Sequence, residues 1–330
     1  MPLVSTGELV TAAAAGGRGI AAFNVITLEH AEAIAAGAER AGMPAILQLS
    51  ENAVRFHGGR LGAVGAAVAA VARASSAPLA LHLDHVESVE LLRAAPAGGF
   101  SSVMFDASKL PYAENLKATT EAVRWGHDHG IWIEAELGAV GGKDGDRPLD
   151  AHAPGVRTDP AEAVVFVAET GVDALAVAVG SSHAMIRRTA TLDHALISAL
   201  RAAVSVPLVL HGSSGVPDTE LRRAIAAGMV KINVGTALNT AFTGAVRAFL
   251  ATDPSAVDPR KYLVPAREAM AGTVAGVLRV VGRAAGRPLP ERTDDTRTDG
   301  ARTDGARTDG ARTDGARTGG RTPAGPPVRD

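Results

Sequence analysis

Residues 77–88 read APLALHLDHVES. The run opens as a buried β-strand, with Pro78 at its entrance and Leu79, Leu81 and Leu83 at alternate positions. It closes on His82, Asp84 and His85, where a strand that only filled a core would close on a turn residue. Metal-ligating and acid–base side chains at the end of an apolar strand are what a parallel barrel carries at its functional face.

Seven further stretches share this apolar character: GIAAFNV (19–25), PAILQLS (44–50), SSVMFD (101–106), IWIEAELG (131–138), DALAVAVG (173–180), PLVLHG (207–212) and MVKINVG (229–235). Segments with apolar spacing of three and four separate them, among them LEHAEAIAAGAERAG (28–42) and PYAENLKATTEAVRWGHDHG (111–130). Asp159-Pro160 and Pro217-Asp218 supply helix entries, and Gly42, Gly130, Gly171 and Gly228 stand where helices should exit. Eight near-continuous strands with crossover helices predict a parallel sheet covered on both faces. In a chain of this length the α/β class then points to a closed (β/α)8 TIM barrel rather than an open doubly wound sheet. No GxGxxG follows the first strand, which also disfavours a dinucleotide fold. The segment DPRKYLVPAREAMAGTVAGVLRVVGRAAG (258–286) predicts an extra C-terminal helix.

The barrel domain is expected to occupy residues 1–290. From Glu291 to Asp330 the chain is built on an Arg-Thr-Asp-Gly-Ala repeat closing in a Gly/Pro run. It holds almost no large apolar residue, so it cannot bury enough surface to offset the entropy of ordering, and it reads as a disordered tail. The chain has no cysteine, which excludes disulfides and thiolate ligands; any metal must use His, Asp or Glu. A net charge of −2 without a basic block in the globular part argues against nucleic acid. Apolar stretches such as AVGAAVAAVA are too short to span a bilayer, and MPLVSTGELV lacks the pattern of a signal peptide, so a cytoplasmic protein with no membrane partner is expected.

Polar groups gather at the predicted strand ends. The first strand ends at Asn24 and the second at Ser50; the fifth carries Glu134 and Glu136; His183 follows the sixth; His211 ends the seventh. Histidines at three strand ends of one barrel suit zinc, with a coordination position left open for substrate. The remaining histidines, His30, His57, His127, His129, His152 and His194, lack this placement and read as surface or helix residues. HGSSG (211–215) and NVGT (233–236) follow strands seven and eight, where this fold usually holds a phosphate. Asp84 suits either of two roles: a carboxylate that orients an imidazole, or a general acid/base beside a metal. The long loop 138–155, with Asp144, Asp146 and Asp150, has the composition of a mobile lid or of a simply solvated loop.

Together, AFNV, HLDH, EAELG, SSH, LHGSSG, KINVGT and DPRKYLVPAREAM stand in an order and spacing that resembles the class II, zinc-dependent fructose-bisphosphate aldolases, from about residue 3 to 286. The resemblance implies His85, His183 and His211 as ligands of a catalytic Zn2+, and Asp84 as the acid/base at the C4 hydroxyl. It implies His82 and Glu136 at a second or displaced zinc position. Asn233 is similar to the group that contacts the dihydroxyacetone-phosphate part, and Gly212, Ser214, Gly235 and Thr236 to its phosphate cradle. Asn24 and Ser50 join them as substrate contacts. A monovalent cation (Na+ or K+) near that phosphate is a further expectation. Arg260 is similar to an arginine that reaches the distal phosphate from a neighbouring subunit, in a homodimer or higher homo-oligomer. Asp144 aligns with a loop acid that protonates C1. The expected reaction is reversible cleavage of fructose 1,6-bisphosphate to two triose phosphates, with tagatose bisphosphate or another ketose phosphate as the alternative substrate. The chain departs from the pattern at Ala184, where relatives usually have Gly, and at MIRRTA (185–190), where many have Tyr-Lys-Gly. Rival readings are a Schiff-base aldolase on Lys231, a zinc hydrolase, disfavoured because the first strand lacks HxH, and a non-catalytic sugar-phosphate-binding barrel.

Overall fold

The computed structural model describes residues 3–138, 140 and 156–283. The elements run α1 (Thr6–Ala15), β1 (Ile20–Asn24), α2 (Leu28–Ala41), β2 (Ala45–Ser50), α3 (Glu51–Phe56), α4 (Leu61–Ala74), β3 (Leu79–Val86), α5 (Val89–Ala94), β4 (Ser102–Phe105) and α6 (Tyr112–Asp128). They continue with β5 (Trp132–Leu137), α7 (Pro160–Thr170), β6 (Ala174–Val177), α8 (His194–Ala203), β7 (Leu208–Leu210), α9 (Asp218–Ala227), β8 (Met229–Val234), α10 (Thr236–Thr252) and α11 (Pro259–Val281). Each strand pairs in parallel with its sequence neighbours, and β1 pairs with β8, closing the barrel. Seven of the eight strands fall within the stretches expected from sequence, and β3 runs past its expected end to Val86. The repeat tail and Asp144 lie outside the described residues.

Local chemistry sets the helix ends. In α7, the Asp159 side chain accepts from the N–H groups of Ala161 and Glu162, Pro160 fills the first turn, and Gly171 ends the helix in the left-handed conformation. Asp258 and Pro259 open α11 in the same way. At α9 the entry differs from the expected one: Pro217 is the N-cap and makes no side-chain bond, and Asp218 is already helical. An added Cβ at Gly37 would lie 2.6 Å from Val274 Cβ, so the lack of a side chain there lets α11 seat closely on α2.

The strand pleat separates two environments. Leu47, Leu81, Leu83, Ile133, Leu175 and Leu210 pack outward against the helices in one large core. Inside, Ile20, Ala22, Ile46, Ala80 and Val230 form an apolar floor with Val10 and Ala13 of α1, a helix additional to the eight strand–helix units. Above that floor the lumen becomes polar: Gln48, His82, Asp84, Glu134, Glu136, His211, Lys231 and Asn233 are all buried.

Candidate active site

The polar lumen opens into a cleft of about 480 Å3 at the C-terminal end of the strands. Its lining includes Asn24, Ser50, Asp84, His85, His183, Ala184, Gly212, Ser214, Asn233, Gly235 and Thr236. The candidate ligands converge beside it. One side-chain donor atom from each of His85, Glu136, His183 and His211 lies within 4.8 Å of the others. The His85 ring packs edge-on against His183 and His211, with centroids 5.3 and 4.8 Å away. Three imidazoles and a carboxylate at this separation form a donor set that fits zinc, and no thiolate is required.

β3 places two of these groups by an unexpected route. Alternation alone would send Asp84 and His85 to opposite faces, so the strand is expected to stop at Asp84. The structure corrects this: β3 stays paired through Val86, but its register against β4 shifts between Leu83 and Val86. His85 sits in the shift with φ of +48°, a left-handed backbone that re-aims its ring toward the cleft. Only His85 and Ala184 among the described non-glycine residues have positive φ, and both belong to this site. Left-handed backbone costs a residue with a Cβ about 1–2 kcal/mol, and such strain concentrates at functional sites.

Asp84 is surrounded by amide donors. Asn24 Nδ2 and Gln48 Nε2 approach its Oδ2 at 3.2 and 3.3 Å, and Asn233 Nδ2 approaches Oδ1 at 3.4 Å. Burial works against its charge, but nearby His85, His211 and Lys231 outweigh it and hold the carboxyl below the usual range. Asp84 is therefore an ionised base facing the cleft.

His82 and Glu136, paired in expectation, part company. Glu136 joins the three histidines, its Oε2 lying 2.8 Å from His211 Nδ1. His82 lies deeper, 2.7 Å from Ser102 Oγ, with its Nε2 4.0 Å from Glu134. Burial, aided by Lys231, pushes the His82 imidazole down to about 3, so it is neutral. For His211, hydrogen bonds to Glu134 and Glu136 outweigh burial and raise it to about 9 in the protein without metal.

Gly212, Ser214, Gly235 and Thr236 line the cleft opposite β3. Gly212 begins a 3-10 turn with φ of +67°. A Cβ there would stand 2.6 Å from the Ser182 carbonyl, so the two loops meet only because residue 212 has none. Thr236 starts the 17-residue helix α10, whose first N–H groups face the same end of the barrel.

Other residues fall differently. Arg260 is exposed at the start of α11, pairs with Asp258 2.7 Å away and does not line the cleft. Lys231 does not line it either: it is buried between Glu134 and Asn233, which leaves it no access to a substrate carbonyl. His30 is not a surface residue; it is buried in α2 and its Nε2 meets Asn239 Oδ1 at 3.2 Å on the cleft wall. Three contacts escaped the sequence reading, although it named Glu134 and Lys231. Asp106 bonds His85 Nδ1 at 2.7 Å, Gln48 bonds Asp84, and Lys231 and Glu134 form an ion pair at 2.8 Å. The signal for all three was placement at or near strand ends facing the lumen.

Comparison with known proteins follows the same lines. Residues 4–286 match the model of the family described as fructose-bisphosphate aldolase class-II. The chain is 41% identical over 283 residues to the fructose-bisphosphate aldolase of Geobacillus stearothermophilus, covering 86% of this chain and 98% of that protein. It is 40% identical over 284 residues to the probable fructose-bisphosphate aldolase of Bacillus subtilis strain 168, with the same coverage. Among solved structures, the YdjI aldolase from Escherichia coli K12 superposes with a TM-score of 0.73 at 31% identity, covering 86% of this chain and 98% of that one.

Proposed function

The chain belongs to the class II fructose-bisphosphate aldolases, and from that membership we propose that it reversibly cleaves fructose 1,6-bisphosphate to dihydroxyacetone phosphate and glyceraldehyde 3-phosphate. The observation that carries the reading is the convergence of His85, Glu136, His183 and His211 beside the ionised Asp84 at the floor of one cleft.

Those four side chains would hold zinc, with His85, His183 and His211 as its principal ligands. When bound, zinc supplies Lewis-acid stabilisation of the negative charge that develops at the substrate carbonyl as the carbon–carbon bond breaks. The chain's own residues do the rest. Asp84 accepts the C4 hydroxyl proton during cleavage and returns it during condensation. Its amide neighbours Asn24, Gln48 and Asn233 hold the carboxylate in place, and the charges of His85, His211 and Lys231 favour its ionised form. Asn233 also orients the three-carbon fragment that carries the phosphate. Gly212, Ser214, Gly235 and Thr236 hold that phosphate through backbone N–H groups and hydroxyls. Ser50 lines the wall on the β2 side.

The proposal extends to a monovalent cation beside the phosphate, a displaced zinc position drawing on Glu136, and Asp144 as the proton donor to C1. It also includes a homodimer or larger homo-oligomer in the cytoplasm. Arg260 would then serve a partner's cleft, since it is exposed and stands outside its own.

The direct test is cleavage of fructose and tagatose 1,6-bisphosphates by protein dialysed against EDTA, before and after zinc is restored. Activity lost with the metal, regained with zinc and larger on the fructose substrate is expected. Undiminished turnover by metal-free protein would refute the reading.

A further inference from the structure

We propose that Lys231 is a positioning residue for this reaction, acting through Asn233 to present the Asn233 amide N–H groups to Asp84 and the cleft. The inference rests on the reading of Asp84 and Asn233 given above. Lys231 and Asn233 are two residues apart on β8, so the pleat points both side chains into the lumen. Lys231 Nζ stands 2.8 Å from Glu134 Oε2 and 2.8 Å from Asn233 Oδ1, and the lysine is fully buried.

The chemistry of these groups fixes the direction of every bond. An ammonium only donates, so the Asn233 atom facing Lys231 must be the carbonyl oxygen. The Asn233 NH2 is thereby turned the other way, where its Nδ2 meets Asp84 Oδ1 at 3.4 Å. A reversed amide would put an NH2 against the ammonium and a carbonyl oxygen against the carboxylate, which is unfavourable at both ends. The opposite side of Asp84 has no such lock. Gln48 donates to Asn24 Oδ1 at 2.9 Å and to Asp84, but its own Oε1 has no hydrogen-bond partner among the described residues. Asn233 is thus the amide whose orientation a buried cation enforces. Glu134 balances that cation's charge and ties it to β5.

The test is a double-mutant cycle on the zinc-loaded enzyme, using Lys231→Met, Asn233→Ala and the double variant. Lys231→Met is expected to lower kcat about tenfold to a hundredfold, the size of a lost hydrogen bond to a charged group. KM should change less and zinc content should be retained, while the melting temperature falls because buried Glu134 loses its counter-charge. The double variant should be no slower than Asn233→Ala alone. Losses that multiply, or a kcat for Lys231→Met equal to the parent's, would overturn the proposal. Because Lys231→Met strands the Glu134 charge in the lumen, Lys231→Met/Glu134→Gln, neutral at both positions, is also combined with Asn233→Ala; multiplying losses there overturn it equally. Asp84→Ala separates the two readings. Full activity in that variant sinks the site assignment itself, whereas an inactive Asp84→Ala with an uncoupled Lys231 sinks only this inference.

Discussion

His85 Nδ1 stands 2.7 Å from Asp106 Oδ2, a bond that joins the bulge of β3 to the end of β4. A carboxylate accepts, so Nδ1 carries the proton and Nε2 is left with its lone pair for a metal. Asp106→Ala removes this support. Zinc affinity is expected to fall about 10–100-fold, measured by competition with a chromogenic chelator, while activity returns at saturating zinc. An unchanged affinity would show that the ring is held by packing alone.

Asp84→Asn keeps the size of the side chain and removes the base. It also brings an NH2 group among three amide donors that now converge on a carboxylate. We expect kcat to drop by about 10²–10⁴, with zinc content unaltered in metal analysis of the purified variant. A drop below tenfold would move the proton-transfer role elsewhere in the cleft.

How much of this was legible in the sequence depends on what each feature needs. The barrel was readable because each strand announces itself locally: Leu79, Leu81 and Leu83 face helices whatever the rest of the chain does. The convergence of His183 and His211 followed from strand order alone. The aim of His85 did not, since a left-handed histidine leaves no mark in composition and appears only when β3 is set against β4. Asp106 stood only as the last residue of the stretch SSVMFD, with nothing local to say what it would meet, and the Lys231–Glu134 pair joins strands that are distant in sequence. His30 was placed on a helix or the surface and does lie in α2, but small residues on every side of that helix hide that its face is buried.

Two residues at the rim of the metal cluster should respond in opposite directions. Gly212 has φ of +67°, and its missing Cβ would lie 2.6 Å from Ser182 backbone atoms. Gly212→Ala should therefore cost about 2–4 kcal/mol of stability and displace the loop that carries His183. Ala184 has φ of +57° and already bears the strain of a Cβ there. Ala184→Gly relieves about 1–2 kcal/mol in the folded state but adds about 0.5–1 kcal/mol of chain entropy on unfolding, so a net gain of about 0–1.5 kcal/mol is expected. Urea midpoints at constant slope measure both. A stabilised Gly212→Ala would contradict the close loop contact.

Acid should find a weak point in the buried neutral His82. Burial, reinforced by the charge of Lys231, pushes its imidazole down to about 3, against about 6.5 when unfolded. Above about pH 6.5 neither state binds the proton, and the group contributes no pH dependence. Between about 6.5 and 3 the unfolded chain takes up a proton that the folded barrel refuses, so stability falls as the pH falls. His82→Gln removes that proton from the balance. In metal-free protein held in chelator, the parent should lose about 1 kcal/mol more than His82→Gln between pH 7.5 and 5.5, read from denaturant unfolding at each pH. Parallel losses would mean that the folded barrel takes up the proton as readily as the unfolded chain, and a smaller loss in the parent would mean that His82 is already protonated there, paired with Glu134 across their 4.0 Å separation.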